Sequence, residues 1–138
     1  MTEQELQQYI RQRYPEENAR CEWKEMKNLK NSFNGKEGND VLSYVSAIAN
    51  MEGGELVIGI KDKTLDIVGT DLSALTFNGF MATPLTATFK LVEQCVNLSS
   101  EGLRIEEFVT DDSNKTVWII HIPKHKPRRP VYAHRKAW

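Results

Sequence analysis

The chain has 138 residues, of which 40% are hydrophobic and 27% are charged, so it can build a modest core and is not disordered throughout. Eighteen basic and nineteen acidic residues leave a net charge of −1, which excludes a uniformly basic nucleic-acid coat but permits a local basic patch. No apolar stretch is long enough to cross a bilayer, and residues 1–14 lack the apolar centre of a signal peptide.

The two cysteines, Cys21 and Cys95, lie far apart in apolar stretches and form no C-x-x-C pair. Isolated cysteines of this kind indicate buried thiols rather than a zinc site or a disulfide framework. We therefore expect a cytoplasmic protein in a reducing compartment, with no membrane partner.

The first half of the chain predicts two helices and two main strands. Thr2 followed by Glu5 forms a capping box, and Asp40 can cap a second helix whose apolar stripe includes Val45 and Ile48. In chain order, we expect a helix over Thr2–Arg13, a strand over Arg20–Met26, a loop over Asn28–Asn39, a helix over Asp40–Asn50 and a central strand over Glu55–Ile60.

The second half predicts one long helix followed by a hairpin. Residues 66–69 read as a short return strand and residues 70–82 as a loop. A helix over Pro84–Val96 carries an apolar face formed by Leu85, Phe89, Val92 and Val96. Two strands then follow, over Leu103–Val109 and Thr116–Ile122. The pattern predicts an α/β (α+β) fold in which two main helices pack on a mixed, largely antiparallel sheet.

Several short segments occur in a distinctive order along the chain. They are Glu22-Trp23-Lys24, "VSAIAN" at 45–50, "GGELVIGIKD" at 53–62, "IVG" at 67–69, Ile122-Pro123 and Pro130-Val131-Tyr132. This ordered set resembles the Schlafen/AlbA-like domain family of bacterial transcriptional regulators and RecG-related proteins. The resemblance implies a DNA-binding α/β domain, a homodimer, and a downstream domain of a longer protein, since the family's sequences usually continue further.

The resemblance also suggests how the chain is organised. We expect an N-terminal helical extension over residues 1–17, the AlbA-like domain over 18–123 and a basic C-terminal segment over 124–138. The Gly53-Gly54 pair is interpreted as a helix stop packed beneath a strand, with backbone approach to a phosphate as the alternative. No glycine-rich nucleotide cradle is present, so nothing supports nucleotide hydrolysis.

Residues 124–138, hereafter the basic segment, carry six Lys or Arg residues and no acidic residue. Cations neutralise phosphates, and aromatic faces such as those of Tyr132 and Trp138 stack on unpaired bases. A solvated, partly disordered chain end is the alternative interpretation. The predicted nucleic-acid-binding residues are Lys24, Lys124, Lys126, Arg128, Arg129, Tyr132, Arg135 and Lys136.

Three carboxylates, Glu17, Glu22 and Asp62, carry a second hypothesis. Some Schlafen proteins are metal-dependent ribonucleases, and the resemblance implies that these three residues would be both the catalytic groups and the ligands of Mg²⁺ or Mn²⁺. Hard divalent cations do prefer several oxygen ligands. The alternative is ordinary surface charge, because Glu-x-Lys on a wet strand face is common. No other cofactor is expected.

Three functions therefore remain open after the sequence. The favoured one is binding of the nucleic-acid backbone within a larger transcriptional regulator. The second is the metal-dependent endoribonuclease, so enzymatic activity is left undecided. The third is a protein-interaction or dimerisation module that recognises its partner through exposed apolar surface.

Overall fold

The computed structural model describes all of residues 1–138. Its four helices are α1 (Glu3–Arg13), α2 (Leu29–Ser32), α3 (Val41–Asn50) and α4 (Pro84–Gln94). The main sheet contains β1 (Cys21–Lys24), β2 (Gly54–Ile58), β5 (Arg104–Val109) and β6 (Thr116–Ile122). Two small hairpins pair β3 (Thr76–Phe77) with β4 (Phe80–Met81), and β7 (Tyr132–Ala133) with β8 (Lys136–Ala137).

The main sheet has the strand order β1-β2-β6-β5. The β1–β2 pair is parallel, whereas β2–β6 and β5–β6 are antiparallel. This arrangement confirms the predicted α/β fold with a mixed, largely antiparallel sheet. The two central strands are apolar on both faces because each face is covered, and residues 56–58 and 117–120 are all buried.

Each face of the sheet has its own hydrophobic core. On one face, α3 packs Val45 and other apolar residues against Leu56 and Trp118. On the other, α1 contributes Leu6 and Ile10 to a smaller core with residues of β1, β2 and β6. Cys21 lies in the smaller core and Cys95 in the larger, and both are free buried thiols, as predicted.

The helix starts follow the predicted caps. Thr2 and Glu5 form the capping box of α1, and the Asp40 carboxylate accepts a hydrogen bond from the Ser43 backbone N–H at 2.9 Å. Pro84 occupies the first turn of α4, where its missing N–H costs nothing. These signals are local in the chain, which is why the sequence reveals them.

Three predicted connections differ from the structure. The loop predicted over Asn28–Asn39 contains α2, and the loop predicted over residues 70–82 contains the β3–β4 hairpin. The return strand predicted over 66–69 is reduced to a single bridge between Ile60 and Ile67. Elements of two to four residues are too short to produce a recognisable hydrophobic period, so the pattern missed them.

The apolar face of α4 points away from the core. Leu85, Phe89 and Val92 form one side of the helix, but Leu85 and Phe89 are 65% and 67% exposed. The helix ends at Gln94, two residues before the predicted end, so Val96 lies outside it and forms a β-bridge with Tyr132. The residues of α4 that face the sheet are instead Ala87 and Leu91, which are fully buried.

The longest helices have 11 residues, and none of the four could span a bilayer.

Candidate nucleic-acid interface

The basic segment is folded onto α3 rather than left as a free chain end. Val131 and Ala133 are fully buried in the larger core, and β7 pairs with β8 in a two-residue hairpin. The N–H of Val96 donates to the Tyr132 carbonyl and the N–H of Tyr132 donates to the Val96 carbonyl, at 2.9 and 3.0 Å. The interpretation of a partly disordered end is therefore wrong.

Two polar residues of α3 hold the segment by its backbone. The Asn50 side chain accepts from the Val131 N–H at 2.7 Å and donates to the Val131 carbonyl at 2.9 Å. The Ser46 hydroxyl donates to the same carbonyl at 2.8 Å and accepts from the Trp138 N–H at 3.2 Å. Both residues belong to the "VSAIAN" motif, so that motif anchors the basic segment.

A buried carboxylate fixes the tip of the β7–β8 hairpin. Asp40 is fully buried, and its Oδ2 lies 2.7 Å from His134 Nε2 and accepts from the Gly35 N–H at 2.8 Å. Together with the helix cap at Ser43, these contacts satisfy both carboxylate oxygens. The cap residue of α3 thus also positions the hairpin that carries Arg135 and Lys136.

The six cations of the basic segment fall into two groups. Lys124 and Lys136 are paired with carboxylates, because their Nζ atoms lie 3.1 Å from Glu52 Oε2 and 2.9 Å from Glu37 Oε2. The remaining four form no salt bridge and are exposed; they are Lys126, Arg128, Arg129 and Arg135. We call these four residues the unpaired cations. They are the charges that a polyanion can reach without displacing an internal partner.

Two unpaired cations occupy backbone conformations that disfavour their own side chains. Arg128 has φ of 61° and Arg135 has φ of 64°, and His134 beside it has φ of 53°. Residues 134 and 135 are both left-handed at the centre of a two-residue hairpin, a position usually filled by Asn and Gly. A non-glycine residue held there costs about 1–3 kcal/mol, so these positions keep a charge at the expense of stability.

Neither aromatic residue of the segment presents a fully free ring on which an unpaired base could stack. Tyr132 is only half-exposed. The Trp138 indole N–H donates to the Ala133 carbonyl at 2.9 Å, and the Lys136 Nζ lies 5.6 Å from the Trp138 ring centroid. Trp138 therefore helps to hold the hairpin. This surface is better suited to phosphate contact by its cations than to base stacking by its aromatic rings.

Lys24, predicted on the same face as Glu22, has its own partners. Its Nζ lies 3.4 Å from Glu22 Oε1 and 4.8 Å from the centre of the Tyr44 ring. Burial lowers the pKa of Lys24, but contacts with Tyr44 and Glu22 raise it further, so the net shift is upward. Lys24 is thus a charged, half-buried residue with an acidic neighbour, unlike the unpaired cations.

The three predicted carboxylates are only partly assembled. Burial, a hydrogen bond shared with Asp62 and the negative charge of Glu22 raise the pKa of Glu17 to about 7. One Glu17 carboxyl oxygen is buried without a hydrogen-bond partner, while Glu22 is paired with Lys24. No three His, Cys, Asp or Glu side chains are arranged to hold a metal ion. The carboxylates therefore do not fit a metal as placed, and no metal-dependent step follows.

The Gly53-Gly54 pair is packed against protein backbone. A side chain on Gly53 would place its Cβ 2.7 Å from the Ile122 carbonyl oxygen, and one on Gly54 would place it 2.0 Å from the Arg20 carbonyl oxygen. The glycines allow β2 to approach its neighbours directly after α3 ends. This packing supports the interpretation as a helix stop beneath a strand.

Sequence reasoning missed the residues that position the basic segment. Ser46, Asn50 and His134 contact it or its partners, yet none was singled out. The available signal was the polar Ser46 and Asn50 within an otherwise apolar helix, four residues apart and on one face. Buried polar side chains of this kind require partners.

The chain resembles solved structures and matches the model of one family. The N-terminal domain of a RecG-related protein from Nitrosomonas europaea shares 22% identity, with a TM-score of 0.45, over 97% of this chain and 81% of that one. That score is too low to support an inference. No curated protein matches. Residues 17–138 match the model of the Schlafen AlbA_2 family, and because this is most of the chain, the chain belongs to that family.

Proposed function

We propose that this domain binds nucleic acid through its phosphate backbone, as part of a larger transcriptional regulator. The observation that carries the proposal is the set of unpaired cations, exposed on a segment that α3 holds in place. Family membership supports it, because the Schlafen/AlbA-like resemblance implies DNA binding. The overall charge of −1 does not oppose it, because the basic segment contains no acidic residue.

Anchoring makes the segment a better ligand for a polyanion than a loose tail. A disordered basic chain loses conformational freedom when it binds, and this loss opposes binding. Here the backbone is already held by Asn50, Ser46 and Asp40, so that loss occurs during folding. Counterion release then favours binding, and little of this free energy is lost to ordering the backbone.

The contacts available to this surface are backbone contacts. Lys and Arg side chains on a short hairpin and turn can reach phosphates, and none of the unpaired cations lies on a helix that could enter a groove. We therefore expect weak discrimination between base sequences. Lys24, Lys124 and Lys136 contribute less than the unpaired cations because each must first leave a carboxylate.

The test compares two double variants by fluorescence anisotropy with labelled single- and double-stranded DNA and RNA. Arg128→Ala with Arg129→Ala removes two unpaired cations and is expected to weaken binding by roughly 50-fold near 0.1 M salt. Lys124→Ala with Lys136→Ala removes two paired cations and is the matched control, with a much smaller loss. Equal losses in the two variants, or no binding by the wild type, would contradict the proposal.

A metal-dependent endoribonuclease is the second candidate; it requires Glu17, Glu22 and Asp62 to close around a cation from the open arrangement described above, and one observation favours it. The neighbouring carboxyls of Asp62 and Glu22 help to raise the pKa of Glu17, and one Glu17 oxygen is buried without a partner, which is how carboxylates behave when a counter-charge is missing. Incubation of labelled tRNA and single-stranded DNA with Mg²⁺ or Mn²⁺ tests it, with Glu22→Ala as the control. Cleavage that requires the cation and Glu22 would establish the activity; no cleavage would remove it.

A further inference from the structure

Strand β5 is an outer strand of the main sheet, and one side of its backbone has no strand beside it. Just past the β5–β6 ladder, the Thr110 N–H donates to the Lys115 carbonyl at 2.9 Å. Hydrogen bonding alternates along an antiparallel pair, so residues 104, 106 and 108 also direct their N–H and C=O groups to β6. The groups that point away from the sheet therefore belong to Ile105, Glu107 and Val109, and none of them forms a backbone hydrogen bond with a turn or loop.

The bonding of β6 agrees with this alternation. Thr116, which lies opposite Val109, accepts at its carbonyl from the Thr70 N–H on the far side of β6. The free edge of β5 is six residues long and contains no proline. A row of free donors and acceptors of this length is a template on which another extended chain can pair.

An apolar groove adjoins this edge, between α4 and the start of β5. It contains two hollows of about 270 and 220 Å³, and Leu85, Thr88 and Leu103 line both of them. The first hollow also contacts Ile105, and the second reaches Phe89. Each hollow has the volume of several water molecules and can take one aliphatic side chain. The groove is open, because Leu85 and Phe89 are 65% and 67% exposed.

The edge and the groove together select an extended peptide as the occupant. A strand added to β5 pairs its backbone with the free edge, and every second side chain of that strand faces the α4 side of the sheet. Ile105 marks this side, because it packs against the larger core. A strand in this place therefore brings alternate side chains to the hollows while its backbone is satisfied.

The charge beside the groove narrows the choice of peptide. Glu107 lies on the α4 side of β5, where its Oε2 accepts from the Trp118 indole N–H at 2.9 Å, and it is exposed. A basic residue opposite Glu107 is favoured and an acidic one is repelled. The one cation lining the hollows, Arg104, already lies 3.4 Å from Glu106 Oε1, so the groove does not suit a polyanion.

We propose that the free edge of β5 and the adjoining α4 groove bind an extended segment of a partner protein as a fifth strand of the main sheet. The segment has apolar side chains at alternate positions, which enter the hollows, and a basic residue opposite Glu107. The surface lies outside the basic segment, so it is independent of the proposed nucleic-acid binding.

The first test measures backbone amide hydrogen exchange by NMR in the free protein. The amides of Glu106 and Phe108 face β6 and should exchange slowly, whereas those of Ile105, Glu107 and Val109 should exchange at least about 100-fold faster. Equal protection of all these amides would mean that a second copy or another part of the chain already covers the edge. That result would overturn the proposal.

The second test uses two capped seven-residue peptides, VTKTLTL and the reversed LTLTKTV, which present the required pattern in either strand direction. One of them is expected to bind below about 1 mM in fluorescence anisotropy and to slow exchange at Ile105, Glu107 and Val109. Glutamate in place of its lysine should weaken binding about threefold, because it would face Glu107. Failure of both peptides to bind, or binding that leaves these amides unprotected, would contradict strand addition.

Two variants separate the groove from general apolar adhesion. Leu85→Glu places a charge in both hollows and should weaken peptide binding by about tenfold or more. Phe80→Glu is the matched control, because Phe80 is 77% exposed nearby but lines neither hollow, and it should bind as the wild type does. Circular dichroism checks folding, and equal losses in the two variants would refute the groove. Arg128→Ala with Arg129→Ala should leave peptide binding unchanged, which keeps this test separate from that of nucleic-acid binding.

Discussion

Replacing Arg135 by glycine should make the protein more stable and a poorer ligand for nucleic acid. Arg135 has φ of 64° and is exposed, and its side chain forms no salt bridge or hydrogen bond that the folded state would lose. A non-glycine residue in this conformation costs about 1–2 kcal/mol relative to its preferred region. Glycine removes that cost, but it also makes the unfolded chain more flexible, and the additional conformational entropy lost on folding lowers the stability by about 0.5–1 kcal/mol.

The net expectation for Arg135→Gly is a gain of about 0.5–1 kcal/mol in the free energy of unfolding. For a chain of this length the gain corresponds to a rise in Tm of about 2–4 °C. The matched control is Arg135→Ala, which removes the same charge but keeps the left-handed backbone. Both variants should bind nucleic acid less tightly, by about eightfold near 0.1 M salt for each lost phosphate contact.

Urea denaturation gives the stability and fluorescence anisotropy gives the affinity for the same three proteins. The glycine variant should be more stable than both the alanine variant and the wild type, whereas the two variants should share one affinity. If the glycine variant is no more stable than the alanine variant, the backbone at Arg135 stores no strain. If the wild type and both variants bind equally, Arg135 contacts no phosphate.

Two further predictions concern the glycine pair and the partly assembled carboxylates. Gly54→Ala should lower the free energy of unfolding by more than about 3 kcal/mol because its Cβ would lie 2.0 Å from the Arg20 carbonyl oxygen. Gly79→Ala, at φ of 83° with nothing within 4 Å, should cost only about 1 kcal/mol, and similar losses in urea denaturation would contradict this packing. The pKa of Glu17 is raised to about 7, so the folded protein binds this proton more tightly than the unfolded chain does. The wild type should therefore lose stability relative to Glu17→Gln as pH rises from about 4.5 through 7. Partial exposure limits the difference to about 1 kcal/mol, and parallel stability curves for the two proteins from pH 4 to pH 8 would refute it.

The sheet and the main helices could be predicted because their signals are local. Thr2 with Glu5 and Asp40 with Ser43 lie three residues apart in the chain, and both contacts form as expected. The continuous apolar run of β2 likewise indicates a strand covered on both faces. Periodicity also reports that α4 has an apolar face, but not which element, if any, covers that face.

The candidate interface was predictable in composition but not in arrangement. The cations of the basic segment are visible in the sequence, yet Asn50 contacts Val131 across 81 residues and His134 contacts Asp40 across 94. The partners of Lys124 and Lys136, which divide the six cations into two groups, also depend on the fold. No local pattern encodes such distant pairings, so they required the structure.

The salt dependence of nucleic-acid binding tests the central claim most directly, namely that four anchored, unpaired cations each neutralise a phosphate. The logarithm of the association constant of the wild type should fall linearly with the logarithm of salt concentration. The expected slope is about −3.6 with double-stranded DNA and about −2.8 with single strands. A slope near zero, or a slope unchanged by Arg128→Ala with Arg129→Ala, would contradict the account.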